Sequence, residues 1–129
     1  MANVVTNQVL VDGARNLVVK VTGVLDTSNV TSTVIVDPAT LVPVPTQLRI
    51  DCLEFMVSDP LSVLLKWDAT VPADIAPVTG FGKLQFRQFG GLQNNAGAGK
   101  NGKILLSTVG WAAGTETFTV ILHMVKQGV

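Results

Sequence analysis

The chain has 129 residues, the size of one domain, and nine Lys plus Arg balance nine Asp plus Glu. Hydrophobic residues make up 47% and charged residues 14%, against about 25% charged in an average soluble domain, so apolar surface should be buried against copies of the chain or against another protein. Dispersed basic residues exclude a nucleic-acid patch, apolar runs far shorter than ~20 residues exclude a membrane-spanning helix, and the lone Cys52 excludes an intrachain disulfide and a cysteine-based metal site.

The opening MANVVTNQVLVDG carries neither a basic segment nor an unbroken apolar run, which argues against a signal peptide and for synthesis in a cytoplasm. A first strand is predicted over residues 8–11, then the turn Asp12-Gly13. Next comes a clear alternation, Leu17, Val19 and Val21 against Val18, Lys20 and Thr22, which has the period of a strand with one buried face. Residues 32–36 follow as a strand. Residues 38–45, PATLVPVP, cannot run through a central sheet because proline lacks the ladder donor, and they read as an extended connection across the surface or the end of the sandwich.

Residues 48–57 form the next strand, with a change of parity. Leu48, Ile50 and Cys52 share one face at its start, Leu53, Phe55 and Val57 at its end, so a bulge or two-sided burial is expected near Cys52. Residues 61–67 are a strand in which Trp67 continues the Val63, Leu65 alternation into the core. Residues 72–77 carry prolines at both ends and read as a turn. Strands over 82–86 and 103–108 flank the glycine-rich run GGLQNNAGAGKNGK. The last strand sets Phe118, Val120, Leu122 and Met124 against Thr117, Thr119, Ile121 and His123. Short strands at even spacing, rich in β-branched residues and without a helical period, predict a single all-β domain over residues 1–129. Its architecture is an antiparallel sandwich or barrel, with the jelly roll one topology among several.

The glycine run raises the question of a phosphate loop. Aligned on Gly99-Lys100, that motif needs glycine where Asn94 stands and a hydroxyl where Asn101 stands, and a helix rather than a strand should follow. Both positions and the context fail. The run therefore reads as a long inter-strand loop, mobile in the free protein and able to order against a partner. His123, the one histidine, could serve a triad only with a serine or Cys52 and an acid brought near by the fold. The carboxylates Asp51, Glu54, Asp59, Asp68 and Asp74 are scattered and read as solvated turn or surface groups. No calcium spacing is present. Nothing in the pattern asks for a cofactor, a metal or an enzymatic reaction.

The phrases VLVDGARN running into VVKVTGVLDTSN, the DPATL connection, LLKWDAT at 64–70 and FGGLQNNAGAGKNGKILLST at 89–108 resemble small virion structural proteins of tailed bacteriophages. The resemblance implies a β-rich, non-enzymatic protein of the capsid cement or decoration type. Such a protein binds the major capsid protein on the outer shell where capsomers meet, as a small homo-oligomer, trimer or dimer, with neither nucleic acid nor membrane as partner. A neck or tail-fibre component is the alternative station, and a carbohydrate-binding module using Trp111 is the alternative class. The candidate assembly contacts are Phe89, Leu92, Asn94, Asn95 and Lys100 of the glycine loop, with Trp111 in the last turn.

Overall fold

The structure, a computed structural model, describes residues 3–41, 44–59, 61–112 and 114–127. Among them nine strands follow one another: β1 Val4–Asp12, β2 Asn16–Leu25, β3 Thr33–Val36, β4 Gln47–Val57, β5 Ser62–Trp67, β6 Ala73–Val78, β7 Gly80–Gln85, β8 Ile104–Val109 and β9 Glu116–Gln127. They form a five-stranded sheet in the order β1-β2-β9-β4-β7 and a four-stranded sheet in the order β3-β8-β5-β6. Every pairing is antiparallel.

The pairings nest. β5 pairs with β6, β4 with β7, β3 with β8 and β2 with β9, so β2 to β9 form one long hairpin whose successive rungs fall alternately in the two sheets. That winding is the jelly roll. The two sheets do not join into a closed barrel among the described residues, and no helix is long and apolar enough to cross a membrane.

The inner faces carry the alternation read from the sequence. Leu17, Val19 and Val21 of β2 and Phe118, Val120 and Leu122 of β9 meet Val63, Leu65 and Trp67 of β5, and all nine are buried in one core. The parity change in β4 is a bulge: the register with β9 slips between Ile50 and Cys52. Asp51 is the extra residue, and its carbonyl accepts from the Phe86 N–H at 2.8 Å. The slip turns Leu53 and Val57 into the core and leaves Cys52 and Glu54 on the outer face.

Two expectations change. Residues 72–77 hold a strand rather than a turn: β6 pairs with β5, and Pro77 stands opposite Leu64. β6 lies at a sheet edge, where one side of the strand has no neighbour among the described residues and the missing proline donor is tolerated. In the 38–45 connection, Pro38–Thr40 form a 3₁₀ turn, Asp37 Oδ1 accepting from Ala39 N–H at 3.1 Å, and Pro38 is buried. Val42 and Pro43 of that connection lie outside the described residues, as do Pro60 of the 58–60 turn and Ala113 beside Trp111.

Candidate functional site

Registers across the five-stranded sheet place its outward side chains in three rungs. Phe81, Met56, Thr119, Thr22 and Thr6 form the first, and Lys83, Glu54, Ile121, Lys20 and Gln8 the second. Gln85, Cys52, His123, Val18 and Val11 form the third. At the β7 end of this face the surface is apolar. Phe81 is 84% exposed and Met56 66% exposed, and with Phe55, Gly82, Thr119, Ile121 and Glu54 they line a groove of about 460 Å³. β7 pairs with β4 on one side, and no described strand covers its other side. Six residues of bare ladder beside a large exposed ring make a surface that natural sheets usually blunt unless something binds it.

The third rung brings chemistry together. Cys52 and His123 are direct cross-strand partners, and Glu54 lies two residues along on the same face. Glu54 Oε1 and His123 Nε2 are 3.0 Å apart. One donor atom from each of Cys52, Glu54 and His123 falls within 4.8 Å of the other two. Cys52 is 1% exposed yet stands apart from the main core cluster. Burial pushes its thiol above the ordinary range, with Lys83 lowering and Glu54 raising it to lesser degrees. A nucleophilic cysteine needs the opposite, a depressed thiol with access to solvent, so the juxtaposition with His123 does not make Cys52 an activated nucleophile.

No family model, curated protein or solved structure matches the chain.

The glycine loop is not a free arm. Leu92 bridges to Ile50, with N–H to carbonyl distances of 2.7 and 3.1 Å. Ala96 enters the core, and Thr70 N–H donates to Ala98 carbonyl at 3.0 Å. Asn101 Nδ2 donates to Asp68 Oδ2 at 2.9 Å. Gly99 makes this docking possible: its φ is +81°, and an added Cβ would stand 2.4 Å from Thr70 Oγ1. Of the candidate contacts, Phe89, Asn95 and Lys100 are exposed, and Leu92 is half-buried against the core. Asn94 is buried, its Oδ1 accepting from Ala96 N–H at 2.9 Å. Phe86 is packed against the core and meets Phe89 edge-on at 6.0 Å between centroids, which anchors the base of the loop.

Trp111 is also committed inward. It packs against the core, and its indole N–H lies 3.2 Å from the carbonyls of both Leu25 and Gly114. The acids do not converge: Asp51 sits with Arg49 and Arg87, Asp74 with Lys66, Asp68 with Asn101. The features that sequence reasoning left out are the Phe81 and Met56 surface and the Cys52, Glu54, His123 cluster. The cluster's one local signal is the parity change at Cys52; its other half, the pairing of β4 with β9, is not a local property.

Proposed function

We propose that the chain is a virion structural protein of a tailed phage, a capsid cement or decoration protein that binds the major capsid protein on the outer shell and stabilises it. The observation that carries the reading is the exposed apolar surface of Phe81 and Met56 on a sheet face beside an open strand edge. The phrase-level likeness to small phage virion proteins and the low charge content support it. Burying a side chain such as Phe or Met yields about 1.5–3 kcal/mol, and a shell repeats that gain at every copy, so a modest contact suffices through valency. Assembly as a trimer or dimer would bring several such surfaces to one site on the capsid.

Purified protein added to undecorated capsids should co-sediment at a fixed stoichiometry and raise their melting temperature. Phe81→Asp should lower the affinity about tenfold or more, since roughly 1.4 kcal/mol is a factor of ten, while leaving the isolated protein folded. Absence of binding by the wild-type chain sinks the proposal. Co-purification with tails instead places the protein in the neck or tail fibre. A carbohydrate-binding module would require glycan binding lost in Trp111→Ala, yet the Trp111 indole is already hydrogen-bonded within the fold.

A further inference from the structure

Cys52 and His123 of the third rung and Glu54 of the second together have the composition of a metal centre. This runs against the expectation drawn from a lone cysteine, because the fold brings a nitrogen and a carboxylate to the one sulfur. Cys52 offers a sulfur, His123 a ring nitrogen and Glu54 a carboxylate oxygen, all within 4.8 Å of one another. Three protein ligands of these types are the usual furnishing of a zinc ion that keeps one exchangeable position. We propose that Cys52, Glu54 and His123 bind one Zn²⁺ per chain, with the fourth position open to water or to a donor from a bound partner.

The geometry needs little rearrangement. Zinc sits about 2.3 Å from sulfur and about 2.0–2.2 Å from nitrogen and oxygen, so tetrahedral ligand atoms lie roughly 3.3–3.7 Å apart. The Glu54 to His123 pair is at 3.0 Å and must open slightly; Cys52 Sγ, within 4.8 Å of both, must close. Closing from 4.8 Å to about 3.5 Å asks for a shift of about 1.3 Å at most. His123 and Glu54 retain 30% and 41% side-chain exposure, which leaves an approach for the ion.

The charges also suit a divalent ion. On binding, Cys52 loses its thiol proton to solvent, and the thiolate and carboxylate together neutralise Zn²⁺ while His123 binds as neutral imidazole. Lys83 and Arg87 stand close enough to favour the thiolate that metal binding requires, and the nearby Asp51 offsets part of their repulsion of the ion. Without metal, the Glu54 and His123 contact explains those two residues by themselves, but it assigns no role to the third donor at the same point. The β4 bulge is what turns Cys52 outward. Without the slip, Asp51 would face His123 and the sulfur would point into the core.

The inference does not depend on capsid binding, and its test uses the purified chain alone. Metal-free protein titrated with Co²⁺ should take up one equivalent, with a sulfur-to-cobalt charge-transfer band and the intense visible bands of a tetrahedral ion. Zn²⁺ should abolish both by displacement and should raise the melting temperature. Cys52→Ser should remove the charge-transfer band. Glu54→Gln and His123→Asn should each weaken binding by at least the roughly 10- to 100-fold expected for losing even an outer partner of a metal ligand. Glu54 is partly exposed, so its variant should stay folded and keep the comparison valid if Cys52→Ser does not. A wild-type cobalt spectrum without a thiolate band, or uptake equal to that of Glu54→Gln, overturns the proposal.

Discussion

Gly23 on β2 stands directly opposite Phe118 on β9, and the ring lies over the glycine. A Cβ added at Gly23 would be 2.1 Å from Phe118 Cε2, 2.3 Å from Cζ and 2.8 Å from Cδ2. Ordinary carbon contacts are about 3.5–4.0 Å, so in Gly23→Ala the ring must retreat by roughly 1.5 Å. Phe118 is 2% exposed, and close-packed interiors offer little room for that retreat. Overpacking of this kind costs about 1–3 kcal/mol, partly offset by the ~0.5–1 kcal/mol that alanine gains over glycine in backbone entropy. The net expectation is a loss of about 1–2 kcal/mol. With a urea slope of about 2 kcal/mol/M, the middle of the range for a small protein, the midpoint should fall by roughly 0.5–1 M. Phe118→Leu alone should also destabilise, by less than the ~3–5 kcal/mol of a Phe→Ala change. Together the two should be less harmful than their sum by at least about 1 kcal/mol, because the new methyl occupies space the ring vacated. Urea unfolding of all four proteins closes the cycle. Gly23→Ala at wild-type stability, or strict additivity, would refute the idea that Phe118 fills the missing Cβ.

The loop yields a second expectation: Gly99→Ala should cost about 1–2 kcal/mol from left-handed backbone alone, and deleting residues 94–101 should lower the unfolding midpoint because Ala96 and Asn94 are buried. Had the loop been a free arm, both changes would leave stability untouched. A third concerns Lys126, whose side chain is fully buried and ion-paired to Asp12. Losing one partner of a buried pair costs about 3–5 kcal/mol. Asp12 is 27% exposed and both residues have further interactions, so Asp12→Ala should cost roughly 1–3 kcal/mol. Lys126→Met removes the buried charge itself and should cost less, a ranking that thermal denaturation can reverse. Finally, metal-free native protein should react slowly with a thiol-specific disulfide reagent at neutral pH, because burial raises the Cys52 thiol. Unfolding in urea should speed the reaction by orders of magnitude, and equal rates in both states would show the sulfur to be open.

Much of the strand inventory was legible because side-chain alternation is a property of a single extended segment. Leu17, Val19 and Val21, and Phe118, Val120, Leu122 and Met124, announce buried faces whatever their neighbours are. The β4 parity change was legible for the same reason, since a bulge must shift the alternation within its own strand. β6 was hidden because Pro72 and Pro77 outweigh Ile75 and Val78 in a local reading, whereas only the position at a sheet edge makes Pro77 acceptable. The loop is hidden likewise: glycine and asparagine permit freedom, but the contacts of Ala98, Asn101 and Leu92 with distant segments remove it.

The sequence by itself determined an all-β chain with little charge and strands that each bury one face, since composition and period-two patterning act locally. Tertiary structure alone decided that β4 lies between β9 and β7, and so that Cys52, Glu54 and His123 share one point and Phe81 stands beside Met56. Those pairings come from folding a long hairpin across two sheets. The register that closes such a hairpin is set by the packing of the whole core, which no short segment encodes.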